Sequence, residues 1–150
     1  MLAKFNQKFL SLKNQVVYFI QNFHTSGNLL VKGSRNSIRL FELENITLNI
    51  KSFKVPNSIN RIVYRYITKS KARRSFEYAN ILLENGIGTP EPIAYFENSS
   101  LAGLKDSYYV SEHLECDLTY RELVEIPDYP DRDTILRQFI RFSYTLHQKV

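Results

Sequence analysis

Thr47-Leu48-Asn49-Ile50-Lys51-Ser52-Phe53 and, across a basic spacer, Ser70-Lys71-Ala72-Arg73-Arg74-Ser75-Phe76-Glu77-Tyr78 are the two runs whose reading decides the fold. In the first, a period of two puts Thr47, Asn49, Lys51 and Phe53 on one face and Leu48, Ile50 and Ser52 on the other, which predicts a strand. Lys54 is a nearby alternative to Lys51, but it falls on the opposite face if the strand continues that far. The second run opens a helix over residues 70–85, with Ser70 as N-cap and Gly86 as stop. Phe76, Ala79, Asn80 and Leu83 line one of its stripes and Ala72, Glu77, Ile81 and Glu84 another, so Glu77 sits mid-helix.

Working upstream, residues 28–32 and 37–43 read as two more extended runs. The turn-rich links Gly33-Ser34-Arg35-Asn36 and Glu44-Asn45-Ile46 make an antiparallel meander the economical arrangement. Before them, Leu12, Val16, Phe19, Ile20 and Phe23 recur at helical spacing and predict a helix covering one edge of the sheet. Between the two opening runs, residues 59–67 carry Ile59, Ile62, Val63, Tyr66 and Ile67 on one helical face and Arg61 and Arg65 opposite. Downstream, Gly88-Thr89-Pro90-Glu91-Pro92 forces the chain out of helix, and residues 93–96 and 107–114 resume an extended pattern about a flexible connection at 98–103. After Cys116 the chain turns acidic and irregular around Pro127 and Pro130. A last helix follows, capped by Asp131 or Asp133, with Ile135, Phe139, Phe142 and Leu146 on its apolar face. The expected class is α+β, with a five-stranded antiparallel sheet.

At 150 residues, 43% hydrophobic and 23% charged, the chain fits one domain able to bury a core. No run of about 18 apolar residues occurs and the first residues lack a secretory signal pattern, so a soluble, intracellular protein is expected. Cys116 has no partner for an internal disulfide, and with His24, His113 and His147 scattered no Cys/His metal site is expected. The net charge of +5 is segregated: from Asn45 to Phe76 there are eight bases and no acid, while from Glu91 to Asp133 eleven acids face three bases. Arg61, Arg65, Lys69, Lys71, Arg73 and Arg74 therefore either lie on an anionic membrane surface or form a solvated face of a helix packed on its own domain. A reading from another class is a non-catalytic basic module for anionic partners, a membrane surface or nucleic acid. No aromatic-basic motif of an RNA-binding sheet is present to favour nucleic acid.

Three strands, a helix, two strands, an acidic connector and a helix resemble the small lobe of the protein-kinase fold and the first large helix beyond it. Leu48-Asn49-Ile50-Lys51 is similar to the Val-Ala-Ile-Lys strand motif, whose Lys reaches the nucleotide phosphates. Ala72-Arg73-Arg74-Ser75-Phe76-Glu77-Tyr78 through Pro92, followed by Tyr108-Tyr109-Val110-Ser111-Glu112, more specifically resembles the lipopolysaccharide kinase family, the Kdo and heptose kinases, over roughly residues 28–150.

The resemblance implies an ATP-dependent sugar kinase of the lipopolysaccharide inner core, cytoplasmic and at the inner face of the inner membrane, with ATP and Mg2+ as cofactors. It implies Lys51 and Glu77 as the catalytic ion pair, and Gly33, Ser34, Asn49, Lys51, Glu112 and Leu114 around the nucleotide. In that frame Ser111 takes the gatekeeper position, the Glu112 carbonyl and Leu114 amide hold the adenine edge, and Asp117 or Glu115 approaches the ribose. The six basic residues above would meet anionic lipid or substrate phosphate.

Two departures stand out. Asn49 replaces a small Ala, and no His-x-Asp loop or later metal-binding Asp follows before Val150. A fragment of a longer kinase is therefore expected, the alternative being a truncated gene product with binding ability at most, with residues 1–27 as a helical extension, 28–115 as a kinase-like small lobe, and 116–150 as connector and start of a second lobe.

Overall fold

The computed structural model describes residues 1–43, 45–54, 69–100 and 103–149. The helix predicted over residues 59–67, with Arg61 and Arg65, lies outside them. In chain order the elements are β1 (Leu2–Phe5), a 3-10 turn (Gln7–Leu12), α1 (Lys13–Gln21), β2 (Asn28–Lys32), β3 (Asn36–Leu43), β4 (Ile46–Lys54), α2 (Lys71–Glu84), β5 (Pro92–Ser100), β6 (Gly103–Glu112), α3 (Tyr120–Glu125) and α4 (Arg132–Lys149). The strands form one sheet in the order β1-β5-β6-β4-β3-β2, with every neighbouring pair antiparallel.

Alternation along β4 feeds two cores on opposite sides of this sheet. Leu48 and Ile50 join Phe41, Phe96, Tyr108 and Val110 beneath α1, which contributes Val16 and Ile20, and Phe23 just beyond its end. On the other side Phe53 packs with Tyr95, half-buried Tyr109, and Ala72 and Phe76 of α2. The amphipathic helix read near the N-terminus is thus in place, but it covers a face of the sheet rather than an edge. Its exit is held by Arg39, whose guanidinium donates to the Ser26 and Gly27 carbonyls, each at 2.9 Å. Gly27 has φ +76°, and a Cβ there would come within 2.7 Å of the Phe41 ring, so both conformation and space require glycine.

The ends of α2 follow from its sequence. The Ser70 hydroxyl accepts from the Arg73 N–H at 3.1 Å. At the other end Gly86, at φ +69°, sends its N–H to the Leu83 carbonyl while Ile87 reaches back to Leu82, each at 2.9 Å, a Schellman closure.

Three expectations need correction. The sheet has six strands among the described residues, not five, because Leu2–Phe5 adds to the free edge of β5. Four residues are too short to show a period, and only Phe5 is partly buried, edge-on to Phe96 at 5.5 Å. Next, β5 and β6 run on to Ser100 and back from Gly103, so most of the connection expected at 98–103 is itself strand. Backbone pairing and an Asn98–Asp106 side-chain bond at 2.6 Å hold it, where side-chain pattern gave no sign. Last, the acidic stretch contains α3, begun by a reciprocal capping box between Thr119 and Glu122.

Asn6 ties the added strand to both layers. Its side chain donates to Asn80 of α2 at 3.1 Å and to the Pro92 carbonyl at 2.6 Å, and its N–H to the Ile93 carbonyl at 2.9 Å. Asn6→Ala is expected to cost about 1–2 kcal/mol in urea unfolding and to speed amide exchange selectively in β1. Unchanged exchange there would show that β1 does not depend on this anchor.

Candidate functional site

Lys51 lies at mid-sheet, opposite Ile38 of β3 and Tyr109 of β6, and two residues along Asn49 lies opposite Leu40 and Ser111. Because Phe53 packs under α2, Lys51 and Asn49 share the α2 face of the sheet. The helix covers β5 and β6 more than β4, and Ile38, Leu40, Asn49 and Lys51 are left half-buried beside it. Ser111 is only 6% exposed. The Lys51 ammonium stands 5.2 Å from the centroid of the Phe53 ring.

Two chain features flank this row along the strand axis. At one end β6 leaves the sheet: the Glu112 N–H donates to the Glu91 carbonyl at 2.9 Å and the His113 N–H to the Thr47 carbonyl at 2.7 Å, after which Leu114 is 65% exposed. At the other end Gly33 closes the β2–β3 hairpin by donating to the Asn36 carbonyl at 2.9 Å, and the Arg35 carbonyl accepts from the Lys54 N–H at 3.1 Å. The Gly33 amide is therefore used within the turn, and Ser34 is exposed. Since Leu48 is level with Glu112 and Phe53 with Asn36, Lys51 lies roughly 10 Å from the first feature and about 7 Å from the second.

Glu77 is not in this row. Its carboxylate accepts from Lys69 Nζ at 2.7 Å and Arg73 Nε at 2.9 Å, while Lys51 makes no ion pair among the described residues. Glu77 projects from the flank of α2 that faces β1, lining a cleft of about 420 Å³ with Lys4, Asn6, Asn80 and Glu84. Two strands separate β1 from β4, so that flank is roughly 14 Å from the Lys51 strand across the sheet. Rolling α2 to turn Glu77 round would expose Phe76, now 3% exposed, at about 2–3 kcal/mol, besides breaking the Asn6–Asn80 bond.

Burial alone would raise the Glu77 carboxyl, but the hydrogen bonds from Lys69 and Arg73 outweigh it and hold the group below its ordinary value. The same bond raises Arg73. Of the basic residues on the membrane-facing reading, Lys69 and Arg73 are thus committed to Glu77, Lys71 is half-buried, Arg74 is exposed, and Arg61 and Arg65 lie outside the described residues.

Two neighbours of Lys51 were not singled out from sequence. Phe53 was legible on the same strand face; Tyr109 required the β4–β6 register. Burial pushes the Tyr109 hydroxyl up to about 12, the Glu91 carboxylate adding to the shift and a hydrogen bond with Ser111 opposing it. The phenol is therefore neutral at physiological pH. Among the described residues no three His, Cys, Asp or Glu side chains gather in a way that could hold a metal ion, and no helix is long and apolar enough to cross a membrane.

No protein-family model and no curated protein matches the chain. A solved structure of WaaP in complex with acyl carrier protein superposes with a TM-score of 0.52 over 77% of this chain, at 20% sequence identity. The match takes in 42% of that chain, so the present chain spans about two fifths of its length. At that identity the likeness is one of fold: a mixed helix and antiparallel-sheet fold similar to that of WaaP.

The Glu77 cluster has a pH signature. A carboxyl held below its unfolded value of about 4.3 contributes stability that is full above that value and is lost as pH falls through the folded value. Glu77→Gln is expected to destabilise by about 1 kcal/mol at pH 7, and the gap between variant and wild type in urea unfolding should be smaller at about pH 3 than at pH 7. An equal gap at both pH values would place the effect outside the ion pairs.

Proposed function

We propose that this chain is the nucleotide-holding part of an ATP-dependent kinase acting on a sugar, Kdo or heptose, of the lipopolysaccharide inner core. The observation that carries the reading is Lys51: a cation on the central strand, free of carboxylate partners among the described residues, standing between the exposed end of β6 and the β2–β3 turn on a half-open face. The fold likeness to WaaP supports a kinase-like, lipopolysaccharide-related role.

In this reading residues 28–115 hold the nucleotide, residues 1–27 precede that unit, and residues 116–150 lead toward a second lobe. The base sits at the β6 exit, where the Glu112 carbonyl and Leu114 amide offer an acceptor and a donor. Leu40 and Asn49 lie against its face and Ser111 closes the inner end. The phosphates run along β4 to Lys51, with Ser34 and the backbone beside Gly33 at the far end. A rigid strand suits this task, because a phosphate clamp gains from a cation already in place. Magnesium, when bound to the phosphates, supplies charge neutralisation for transfer; the residues of this chain are assigned neither its coordination nor the acceptance of the sugar proton. Glu77 enters as an organiser of the α2 flank.

Lys71 and Arg74 at the start of α2 offer basic charge suited to anionic lipid or to the phosphates of the acceptor at the cytoplasmic face of the inner membrane, while Lys69 and Arg73 are engaged by Glu77 and Arg61 and Arg65 lie outside the described residues.

Lys51→Ala is expected to weaken binding of magnesium-ATP to this chain at least tenfold in a fluorescent-nucleotide titration, with the melting temperature unchanged within a few degrees. Equal affinity removes Lys51 from the site, and salt-dependent oligonucleotide binding without any nucleotide binding favours the non-catalytic basic module. Lys71→Glu with Arg74→Glu is expected to abolish sedimentation with vesicles containing phosphatidylglycerol at low salt, each charge near the surface being worth about 1 kcal/mol; retained sedimentation would remove these two residues from the membrane contact.

A further inference from the structure

We infer that Lys51 is positioned by an aromatic seat, the Phe53 ring, in place of an acidic partner on α2. The inference rests on the nucleotide-binding reading above and concerns how that site is prepared.

Four observations meet here. The Lys51 ammonium lies 5.2 Å from the Phe53 centroid, within the range where the negative face of a ring attracts a cation. The ring is itself fixed, packed with Ala72, Phe76 and Tyr95 and only 8% exposed. Glu77, the acid on α2 that sequence placed beside Lys51, accepts from Lys69 and Arg73 on the flank facing β1. Across the strand pair from Lys51 stands Tyr109, whose hydroxyl is neutral at physiological pH.

Among the described residues the Phe53 ring therefore orients Lys51 without cancelling its charge, and no carboxylate pairs with it. A carboxylate partner would hold the ammonium but would also repel an incoming polyphosphate. A ring attracts the ammonium and leaves its positive charge uncancelled, with less rotamer freedom to lose on binding. Phe53 is thus a positioning residue: it acts on the phosphates only through Lys51.

The test separates a π face from mere volume. Phe53→Leu keeps an apolar filler without the ring, and Phe53→Tyr restores the ring. In titrations of the full chain with methylanthraniloyl-ATP and magnesium, Phe53→Leu is expected to weaken binding roughly two- to tenfold, and Phe53→Tyr to return it to within twofold of wild type. Independently of nucleotide, the Lys51 ε-methylene protons should show an upfield ring-current shift that Phe53→Leu removes and Phe53→Tyr retains. The inference is overturned if the Lys51 signals are unshifted in wild type, or if Phe53→Leu binds like wild type while Lys51→Ala does not bind. If wild type and Lys51→Ala bind nucleotide equally, the proposed function falls, and the ring-current shift alone decides whether the seat exists.

Discussion

The burial of β4 on both faces is the constraint on which the rest depends. A central antiparallel strand must supply apolar side chains to two layers at once, and its period of two leaves no freedom in which residues go where. Leu48 and Ile50 are fully buried beneath α1, and Phe53 is buried beneath α2. A slip of one residue would bury Lys51 and expose Ile50, at a cost far above that of losing a surface contact. Lys51 is thus held on the α2 face by the packing of its neighbours, with no bond of its own needed.

The roll of α2 is fixed by the same means and leads to a different outcome for Glu77. Ala72, Phe76 and Ala79 are the buried stripe, and with that stripe against the sheet, Arg73, Glu77, Asn80 and Glu84 fall on the flank toward β1. The Asn6–Asn80 bond and the Lys69–Glu77–Arg73 cluster reinforce this orientation. Pairs as exposed as these contribute only fractions of a kcal/mol each, so the buried stripe sets the roll and the charges follow it.

What was legible in the sequence divides along these lines. β2, β3, β4 and α2 could be placed within a residue of their observed limits, since each has a period, a cap or a turn that acts locally. The face shared by Asn49, Lys51 and Phe53 was equally plain. β1 could not be read, because four residues on an edge are held by backbone bonds to β5 that any side chains permit. α3 did leave a signal in Thr119 and Glu122, whose spacing is that of a capping box, but the acidic composition around it obscured the helix. The side of α2 on which Glu77 lies was beyond sequence, since it depends on the order of strands beneath the helix and on a strand, β1, that gave no sign of itself.

Lys51 and Glu77 differ chiefly in how their charges are balanced, and that difference bears on what each can do. Glu77 faces two cations, whose hydrogen bonds outweigh its partial burial and hold its carboxyl below its ordinary value. Lys51 faces aromatic rings and neutral polar groups, which lower the energy of an ammonium only slightly. A ligand stabilises a site in proportion to the interactions it adds beyond those already made. An anion arriving at Glu77 would have to displace a carboxylate from both cations, whereas one arriving at Lys51 displaces only water and gains nearly the whole charge. The α2 flank thus has its charges balanced within itself, whereas Lys51, among the described residues, keeps a charge that no carboxylate balances.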